Sequence, residues 1–362
     1  MSLRIVLTHV YAWPEVRRGG ERYLHEVAAG LQAAGHRVSI LSTSPTPSRG
    51  NVDGVDVRYL RRRHALQGRF GAQSDEVCFA AEALARLGLR RIDVWHALGT
   101  ADAAAAALAG IVRPLRSVFT DLGITSRSWR KHRGDHRLYE FAARRVDEYI
   151  CLSDAAARSV RADYGRDAHV LGGGVDLQVF HPSEPRNSTP ALLFTSDASE
   201  PRKNFPLLLE AVAILAGRGR EVELWLAGPG DPTPALASAP VAARDAVIRL
   251  GVGALVDLPR LYARAWATVL PSRGEAFGIV VVESLACGTP VVTLDDAGPA
   301  ELVSPGIGAT GAATPEALAD ACERALDLAT DPETAERCRA AAEPHDWRRG
   351  VVPRLERIYC GS

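Results

Sequence analysis

Short apolar, β-branched runs alternate with longer segments rich in Ala, Leu and Arg along the whole chain. Residues 3–10 (LRIVLTHV) predict a strand, residues 21–35 predict a helix with one apolar face that stops at Gly35, and residues 36–43 predict the next strand. This rhythm is typical of βαβ units and therefore of parallel sheets covered by helices on both faces. In such folds ligands bind beyond the carboxyl ends of the strands.

The rhythm is interrupted once. Residues 171–190 (LGGGVDLQVFHPSEPRNSTP) are rich in Gly, Pro, Ser and Asn and have no helical period. At 362 residues the chain is too long for one ordinary core. We therefore predict two similar α/β domains, residues 1–182 and 183–343, followed by a Trp-anchored helical segment over residues 344–362. Further predicted strands lie at residues 91–98, 115–121, 146–153, 191–197, 222–230, 267–272 and 290–296.

Composition narrows the class of protein. The chain is 47% apolar and 24% charged with a formal net charge of zero, which argues against nucleic acid as its main partner. The six cysteines are scattered without metal-ligand spacing, which predicts reduced thiols and no zinc site. No apolar run is long enough for a membrane span or a signal peptide. We expect a cytoplasmic protein, with peripheral membrane contact possible but not favoured.

Residues 274–292 (GEAFGIVVVESLACGTPVV) set two glutamates into an apolar run. Propensity alone favours a strand over IVVVE, but Gly288 with Pro290 beyond it is typical of a helix end. A helix beginning at Gly278 would direct its free N–H groups and positive dipole end towards a ligand. Glu275 would then lie just before the helix, and Glu283 one and a half turns along it.

Two further stretches suggest anion binding. The chain has only two lysines, Lys131 and Lys203, among 43 basic residues, an arginine bias typical of a GC-rich bacterial genome. A lysine kept in such a chain is a better functional candidate than usual, although Arg202-Lys203 is also compatible with a solvated surface. Gly19 and Gly20 precede a predicted helix, where the backbone approaches an anion closely, or they form a plain tight turn.

The order of these motifs resembles the GT-B retaining glycosyltransferases of family 4. The resemblance rests on RRGGERYLHEVAAGLQAAGHRVSILST, LGGGVDLQVFHP, PRKNFPLLLEA, LAGPG, LPRLYARAWATVLPSRGEAFG and the Glu, seven residues, Glu pattern in EAFGIVVVE. It implies two Rossmann-like α/β domains facing a central cleft, with residues 344–362 crossing back to the N-terminal, acceptor-side domain. The glycines at 172–174 would then serve closure of the cleft, or merely a turn.

The resemblance also implies roles for the site residues. Glu275 would bind hydroxyls of the donor sugar, and Glu283 would accept hydrogen bonds from the ribose of the nucleotide, because carboxylates are good acceptors for vicinal diols. Lys203 would neutralise the leaving diphosphate. The family's partner arginine is replaced by Asp197, so Arg202 is the candidate helper. The remaining donor-binding candidates are Gly19, Gly20, Ala276, Phe277, Gly278 and Ile279.

On the acceptor side the family often carries a histidine where this chain has Leu122. The candidates that remain are Asp121, Trp129 and His96, although for His96 a hydrogen-bonded structural role is favoured. Two basic runs, residues 61–70 and 127–137, are either solvated or hold an acidic acceptor or an anionic membrane surface.

We therefore predict a retaining glycosyltransferase that moves a sugar from a nucleotide-diphosphate sugar to a small-molecule, secondary-metabolite or glycan acceptor, with no cofactor and no required metal. Two alternatives remain: a catalytically impaired nucleotide-sugar-binding subunit, and another GT-B enzyme such as a sugar-nucleotide epimerase. The sequence does not specify the base, the sugar, the acceptor or the oligomeric state.

Overall fold

The structure is a computed structural model that describes residues 2–361, apart from residues 17, 64–73, 89, 126–132, 252–256 and 297. The chain divides into two compact units, Met1–Gly173 with Trp347–Ser362, and Gly174–Asp346. Each unit is an α/β layer structure with its own sheet, as the alternation of strands and helices predicts.

The sheet of the first unit has eight strands in the order β3-β4-β2-β1-β5-β6-β7-β8. All neighbours are parallel except β3 and β4, which form an antiparallel hairpin. The strands are β1 (Arg4–Thr8), β2 (Arg37–Ser44), β3 (Ser48–Val52), β4 (Val55–Arg61), β5 (Val94–Ala97), β6 (Arg116–Asp121), β7 (Glu148–Cys151) and β8 (His169–Val170). The helices are α1 (Gly19–Ala33), α2 (Ser74–Leu87), α3 (Thr100–Val112), α4 (Arg133–Arg145) and α5 (Asp154–Tyr164).

The hairpin of β3 and β4 was not predicted, although its turn carries a recognisable signal. Asp53 and Gly54 both have positive φ, 48° and 88°, and the two residues connect paired Val52 and Val55. An Asp-Gly pair of this kind suits a two-residue hairpin because both positions need the left-handed region.

Alanine packing explains the composition of α3. Its alanines at positions 101 and 103–107 are at most 4% exposed, and the helix contacts both α2 and α4. Small side chains let three neighbouring helices lie close together, since no bulk separates their backbones. The alanine richness of this segment therefore has a structural role beyond genome composition.

The sheet of the second unit has six parallel strands in the order β11-β10-β9-β12-β13-β14. The strands are β9 (Ala191–Phe194), β10 (Glu223–Leu226), β11 (Val247–Arg249), β12 (Ala267–Leu270), β13 (Val291–Leu294) and β14 (Gly308–Gly311). The helices are α6 (Phe205–Gly217), α7 (Thr233–Ser238), α8 (Val241–Ala246), α9 (Leu258–Arg264), α10 (Ile279–Ala286), α11 (Pro315–Leu328) and α12 (Thr334–Ala342). Every residue of β9, β12 and β13 is buried, as expected for central parallel strands covered on both faces.

The units divide at Gly174, earlier than the sequence suggested. Residues 174–182 have no regular pattern, but they are hydrogen-bonded to the second unit: the N–H of Val175 donates to the carbonyl of His345 at 2.8 Å, and the guanidinium of Arg339 donates to the carbonyl of Leu177 at 2.8 Å. Such contacts cannot be read from local composition.

The C-terminal segment groups with the first unit. A π-helical turn over Trp347–Val351 leads into α13 (Val352–Cys360). The indole of Trp347 donates to Glu26 at 3.0 Å, and Glu356 pairs with His36 at 2.8 Å. Trp347 is thus a packing residue at the junction between the end of the chain and α1.

Two findings bear on the class of protein. Across the described residues, none of the helices has both the length and the apolar character that crossing a bilayer requires. All six cysteines are free, and four of them are buried.

One carboxyl group lies deep in the first unit. Asp102, in the first turn of α3, is 2% exposed and accepts a hydrogen bond from the hydroxyl of Thr8 at 2.6 Å. The same hydroxyl accepts from the indole of Trp95 at 3.0 Å. Burial raises the pKa of Asp102 to about 8, because the charged form loses its hydration.

We expect the Asp102→Asn variant to remove part of the pH dependence of stability. In the folded chain Asp102 keeps its proton below its raised pKa, whereas an unfolded carboxyl loses it above about pH 4. The unfolded state therefore binds fewer protons between about pH 4 and 8, so the free energy of unfolding falls as pH rises, by up to about 1.4 kcal/mol per pH unit.

Urea denaturation of the wild type and the variant at several pH values between 5 and 8 measures this contribution. The control is Asp167→Asn, which changes a carboxylate that is 81% exposed. Identical pH slopes in the wild type and Asp102→Asn would show that Asp102 is ionised in the folded chain.

Candidate active site

The candidate site of the second unit follows from its strand order. β9 and β12 are neighbours, but the chain leaves β9 towards β10 on one side and leaves β12 towards β13 on the other. The loops after these two strands therefore diverge at the carboxyl edge of the sheet, where α/β folds open a crevice for ligands. The loop after β9 contains Lys203, and the loop after β12 contains Glu275.

Residues 279–286 form helix α10, which confirms the helix expected there over the strand that propensity favours. Gly278 precedes it with φ of 84°, and Gly288 follows it with φ of 78°. A Cβ at Gly278 would lie 2.8 Å from the Leu270 side chain and 3.0 Å from that of Pro299. Glycine at 278 is thus required by both backbone conformation and space.

The first turn of α10 has no side-chain cap. Within the described chain, no oxygen accepts a hydrogen bond from the backbone N–H groups of Ala276, Phe277 or Gly278. Ala276 and Phe277 are 3% and 4% exposed, so both residues are largely shielded from bulk water. N–H groups without internal partners at a helix start form an anion-binding arrangement.

The structure brings Lys203 and Glu275 together across 72 positions of sequence. The ammonium of Lys203 donates to Glu275 Oε2 at 2.6 Å, and the two side chains are 18% and 21% exposed. The N–H of Arg273 donates to the carbonyl of Arg202 at 2.9 Å, so the two loops are also joined through their backbones. A partly desolvated ion pair therefore lies just before the start of α10.

Arg202, the candidate helper of Lys203, bonds instead within its own loop. Its Nε donates to Glu200 at 2.8 Å, and the side chain is 54% exposed. Asp197, at the position of the family's arginine, accepts from both the N–H and the hydroxyl of Ser199, at 2.8 and 2.6 Å. A Cβ at Gly230 would lie only 1.9 Å from the Asp197 carboxylate. Asp197 thus caps a local turn and fits against a glycine.

Glu283 lies inside a buried polar network. It is 1% exposed, and its Oε2 accepts a hydrogen bond from the hydroxyl of Tyr262 at 2.9 Å. The Tyr262 hydroxyl also lies 3.4 Å from that of Thr195, directly after β9. Tyr262 was not predicted as a site residue from the sequence. The signal that could have found it is a tyrosine in the helix that precedes β12, the strand that leads into the site.

Three buried polar atoms on this side of the unit have no hydrogen-bond partner among the described residues: Asn204 Nδ2, Ser272 Oγ and Thr293 Oγ1. Asn204 lies after β9, Ser272 lies after β12 and Thr293 lies near the end of β13. Buried polar groups in proteins are normally hydrogen-bonded, so each of these unsatisfied atoms marks a position where a ligand or water completes the bonding.

In the first unit, Gly19 and Gly20 are the first residues of α1. A Cβ at Gly20 would lie 2.9 Å from the Leu122 side chain, so the loop after β6 packs on the start of this helix. Leu122, which stands where the family often carries a histidine, therefore makes a close apolar contact with the start of α1.

Two of the acceptor-side candidates have core positions instead. The ring of His96 is fully buried, with Nδ1 2.7 Å from the hydroxyl of Tyr359 and Nε2 2.7 Å from that of Thr120. Burial lowers the pKa of His96 to about 3, which keeps the ring neutral. Both nitrogens are occupied, so an acceptor contact for His96 is incompatible with this geometry.

Asp121 is likewise bonded to protein donors. Its Oδ2 accepts from the hydroxyls of Thr125, Tyr139 and Tyr149 at 2.7, 2.7 and 2.9 Å, and its Oδ1 accepts from the N–H of Gly123 at 3.2 Å. The carboxylate is 8% exposed and organises the core around β6 and β7. Trp129 lies outside the described residues, as do most of the basic runs at 61–70 and 127–137.

His9, directly after β1, was not named from the sequence. Its Nδ1 lies 2.8 Å from the carbonyl oxygen of Tyr11 and 3.4 Å from the backbone nitrogen of the same residue. Burial lowers the pKa of His9, while the charge of Glu21 raises it. The signal that could have found it is a histidine at the carboxyl end of the central strand of its sheet.

Two family models match the chain. Residues 17–179 match the model described as Glycosyltransferase Family 4, and residues 189–328 match the model described as Glycosyl transferases group 1. The two matches follow one another and together cover most of the chain. The chain therefore belongs to this glycosyltransferase family, and the resemblance seen in its motifs is confirmed.

Solved structures confirm the GT-B fold class of two Rossmann-like domains. The sucrose-phosphate synthase of Thermosynechococcus elongatus matches with a TM-score of 0.79 at 19% identity, covering 99% of this chain and 98% of that one. HepE of Anabaena, solved in complex with UDP and glucose, matches with a TM-score of 0.75 at 16% identity, covering 99% and 100%. At such identities the likeness concerns the fold.

Among curated proteins, the D-inositol 3-phosphate glycosyltransferase of Mycobacterium tuberculosis is 34% identical over 223 residues. The match covers 54% of this chain and 44% of that protein, so the chain spans less than half the length of the curated relatives it matches.

We expect Gly278→Ala to destabilise the second unit by about 2–4 kcal/mol. An alanine there meets both an unfavourable left-handed φ and the overlap with Leu270 and Pro299. The matched control is Gly219→Ala, whose φ of 75° is similar but whose Cβ would meet nothing within 4 Å. Urea unfolding measures both variants, and equal losses would show that space around Gly278 is not limiting.

Proposed function

We propose that this protein is a retaining glycosyltransferase that uses a nucleotide-diphosphate sugar as donor. The observation that carries the proposal is the contact between Lys203 and Glu275 just before α10. It sets a cation for a leaving phosphate, a carboxylate for sugar hydroxyls and a row of backbone donors next to one another. The family membership of the chain supports transfer over epimerisation or binding alone.

The proposed reaction breaks the bond between the anomeric carbon and the oxygen of the diphosphate. Negative charge develops on the departing diphosphate, and Lys203 together with the N–H groups at the start of α10 stabilises it. The acceptor oxygen forms a new bond on the same face of the sugar and passes its proton to the departing phosphate. Because these groups already supply positive charge, we propose that no metal is required.

In the proposed donor complex the ion pair is shared with the ligand. Glu275 accepts hydrogen bonds from sugar hydroxyls while Lys203 turns its remaining N–H groups to the phosphate. The low exposure of both side chains strengthens these interactions relative to bulk water. Glu283 holds the ribose, and its carboxylate is positioned by the hydrogen bond that it accepts from the hydroxyl of Tyr262. Gly19 and Gly20 would meet the donor phosphate or the acceptor.

The identity of the substrates is a proposal from similarity. HepE, which shares this fold, was solved with UDP and with UDP-glucose, which supports a nucleotide-diphosphate sugar as donor. The mycobacterial relative is named for a phosphorylated polyol acceptor, which supports a small hydroxyl-bearing acceptor over a polymer.

We expect Lys203→Ala to lower turnover on the order of 10²–10³-fold, by analogy with loss of one preorganised oxyanion donor. Release of nucleoside diphosphate in the presence of acceptor is the measurement. Arg249→Ala, which removes an exposed cation from the same unit, should retain turnover within about twofold. A loss of less than tenfold in Lys203→Ala would remove this lysine from the mechanism.

We expect one nucleotide among UDP, GDP, dTDP, ADP and CMP to raise the melting temperature of the wild type. At a hundredfold excess over the dissociation constant, binding contributes about 2.7 kcal/mol. The shift should disappear in Glu283→Gln, which keeps the contact with Tyr262 but removes the charge, and persist in Glu210→Gln, an exposed carboxylate of α6. No shift with any nucleotide would overturn the donor assignment.

The products of the reaction then distinguish glycosyl transfer from epimerisation and from binding alone. Release of nucleoside diphosphate only when an acceptor is present supports transfer. Conversion of the donor sugar without acceptor would instead support an epimerase, and tight donor binding without turnover over a broad acceptor panel would support a binding subunit.

A further inference from the structure

A charged cavity lies in the first unit, on the side of the sheet opposite the loops that follow β1 and β6. It is formed by the amino ends of β1, β2 and β4, the hairpin strand β3 and the end of α2, and its volume is about 470 Å³. The residues that line it include seven arginines and one acidic residue, Asp56. In a chain whose formal net charge is zero, this is a strong local excess of positive charge.

Among the described residues, two of the seven arginines have an acidic partner. Arg4 pairs with Asp93 at 2.6 Å, and Arg86 pairs with Glu82 at 2.7 Å. Within the described part of the chain, no carboxylate lies within ion-pair distance of the other five, which are Arg37, Arg49, Arg58, Arg90 and Arg91.

The arginines are close enough to affect one another. Burial, and after it the positive charges of Arg49, Arg86 and Arg90, lower the pKa of Arg58. Like charges held near one another oppose folding of the unit unless an anion neutralises them. Apolar residues also line the cavity, among them Val6, Leu41 and Leu87, which belong to the buried core of the unit.

We propose that this cavity binds a compact, multivalent phosphate group. Arginine forks match phosphate oxygens with paired hydrogen bonds. Each phosphate group carries about −1.5 to −2 charges, so a diphosphate brings about the charge that several unpaired arginines require. The site is distinct from the proposed donor site, because it is lined only by residues of the first unit and lies at the amino edge of that sheet.

Inorganic pyrophosphate is the probe, measured by isothermal titration calorimetry. All proteins carry Lys203→Ala, so that the proposed donor site contributes little. The test variant is Arg49→Gln with Arg90→Gln, two exposed cavity residues whose change leaves the core intact. The control is Arg244→Gln with Arg249→Gln, an equal loss of charge from exposed positions of the second unit.

We expect the test variant to weaken pyrophosphate binding by about tenfold or more, and the control by less than about twofold. Three results would overturn the phosphate assignment. They are no binding of pyrophosphate to the protein that carries Lys203→Ala alone, equal losses of affinity in both double variants, and binding of citrate as tight as that of pyrophosphate.

A second arm identifies the source of the phosphate. Vesicles of phosphatidylcholine with a fifth of phosphatidic acid are floated with the same proteins. Capture that is lost in the test variant assigns the cavity to a lipid headgroup, whereas pyrophosphate binding without capture assigns it to a free phosphate compound. Nucleotide stabilisation should persist in the test variant with Lys203 restored, so failure of this inference is separable from failure of the proposed function.

Discussion

The adjacency of β9 and β12 is the constraint on which the candidate site depends. Their connections run to opposite sides, so two loops that are distant in sequence leave the sheet side by side. That placement lets Lys203 reach Glu275, and the backbone bond from Arg273 to Arg202 holds the loops in this relation. Without the switch in strand order, the fold would not bring the ammonium of Lys203 into contact with the carboxylate of Glu275, which is 72 positions away in sequence.

Patterns with a single physical cause were readable from the sequence. The two α/β units follow from the alternation of apolar runs, and helix α10 follows from the glycines that bound it, even though its β-branched residues favour a strand. The Lys203 and Glu275 roles came from the family resemblance, while their contact came only from the structure. The position of Asp121 and His96 near strand ends did not reveal their orientation, because successive side chains of a strand face opposite sides.

The two departures from the family pattern have local packing partners. Asp197 is bonded to Ser199 and fits the space left by Gly230, and Leu122 fits against Gly20. Each replacement thus coincides with a glycine that gives it room. Restoring the family residue at position 197 or 122 would place a larger or differently charged side chain into a space that fits the present one. Each replacement is therefore coupled to the neighbouring residues that it contacts.

The first unit is discontinuous along the chain, and this has a consequence for synthesis. Residues 174–346 form one uninterrupted stretch, whereas the first unit needs Trp347 and α13 to complete its packing. The hydrogen bond between Tyr359 and His96 can form only when the last turn of α13 has left the ribosome. We infer that the later-encoded unit is able to reach its native state first, and that the earlier-encoded one completes its core only after residues 347–360 have been synthesised.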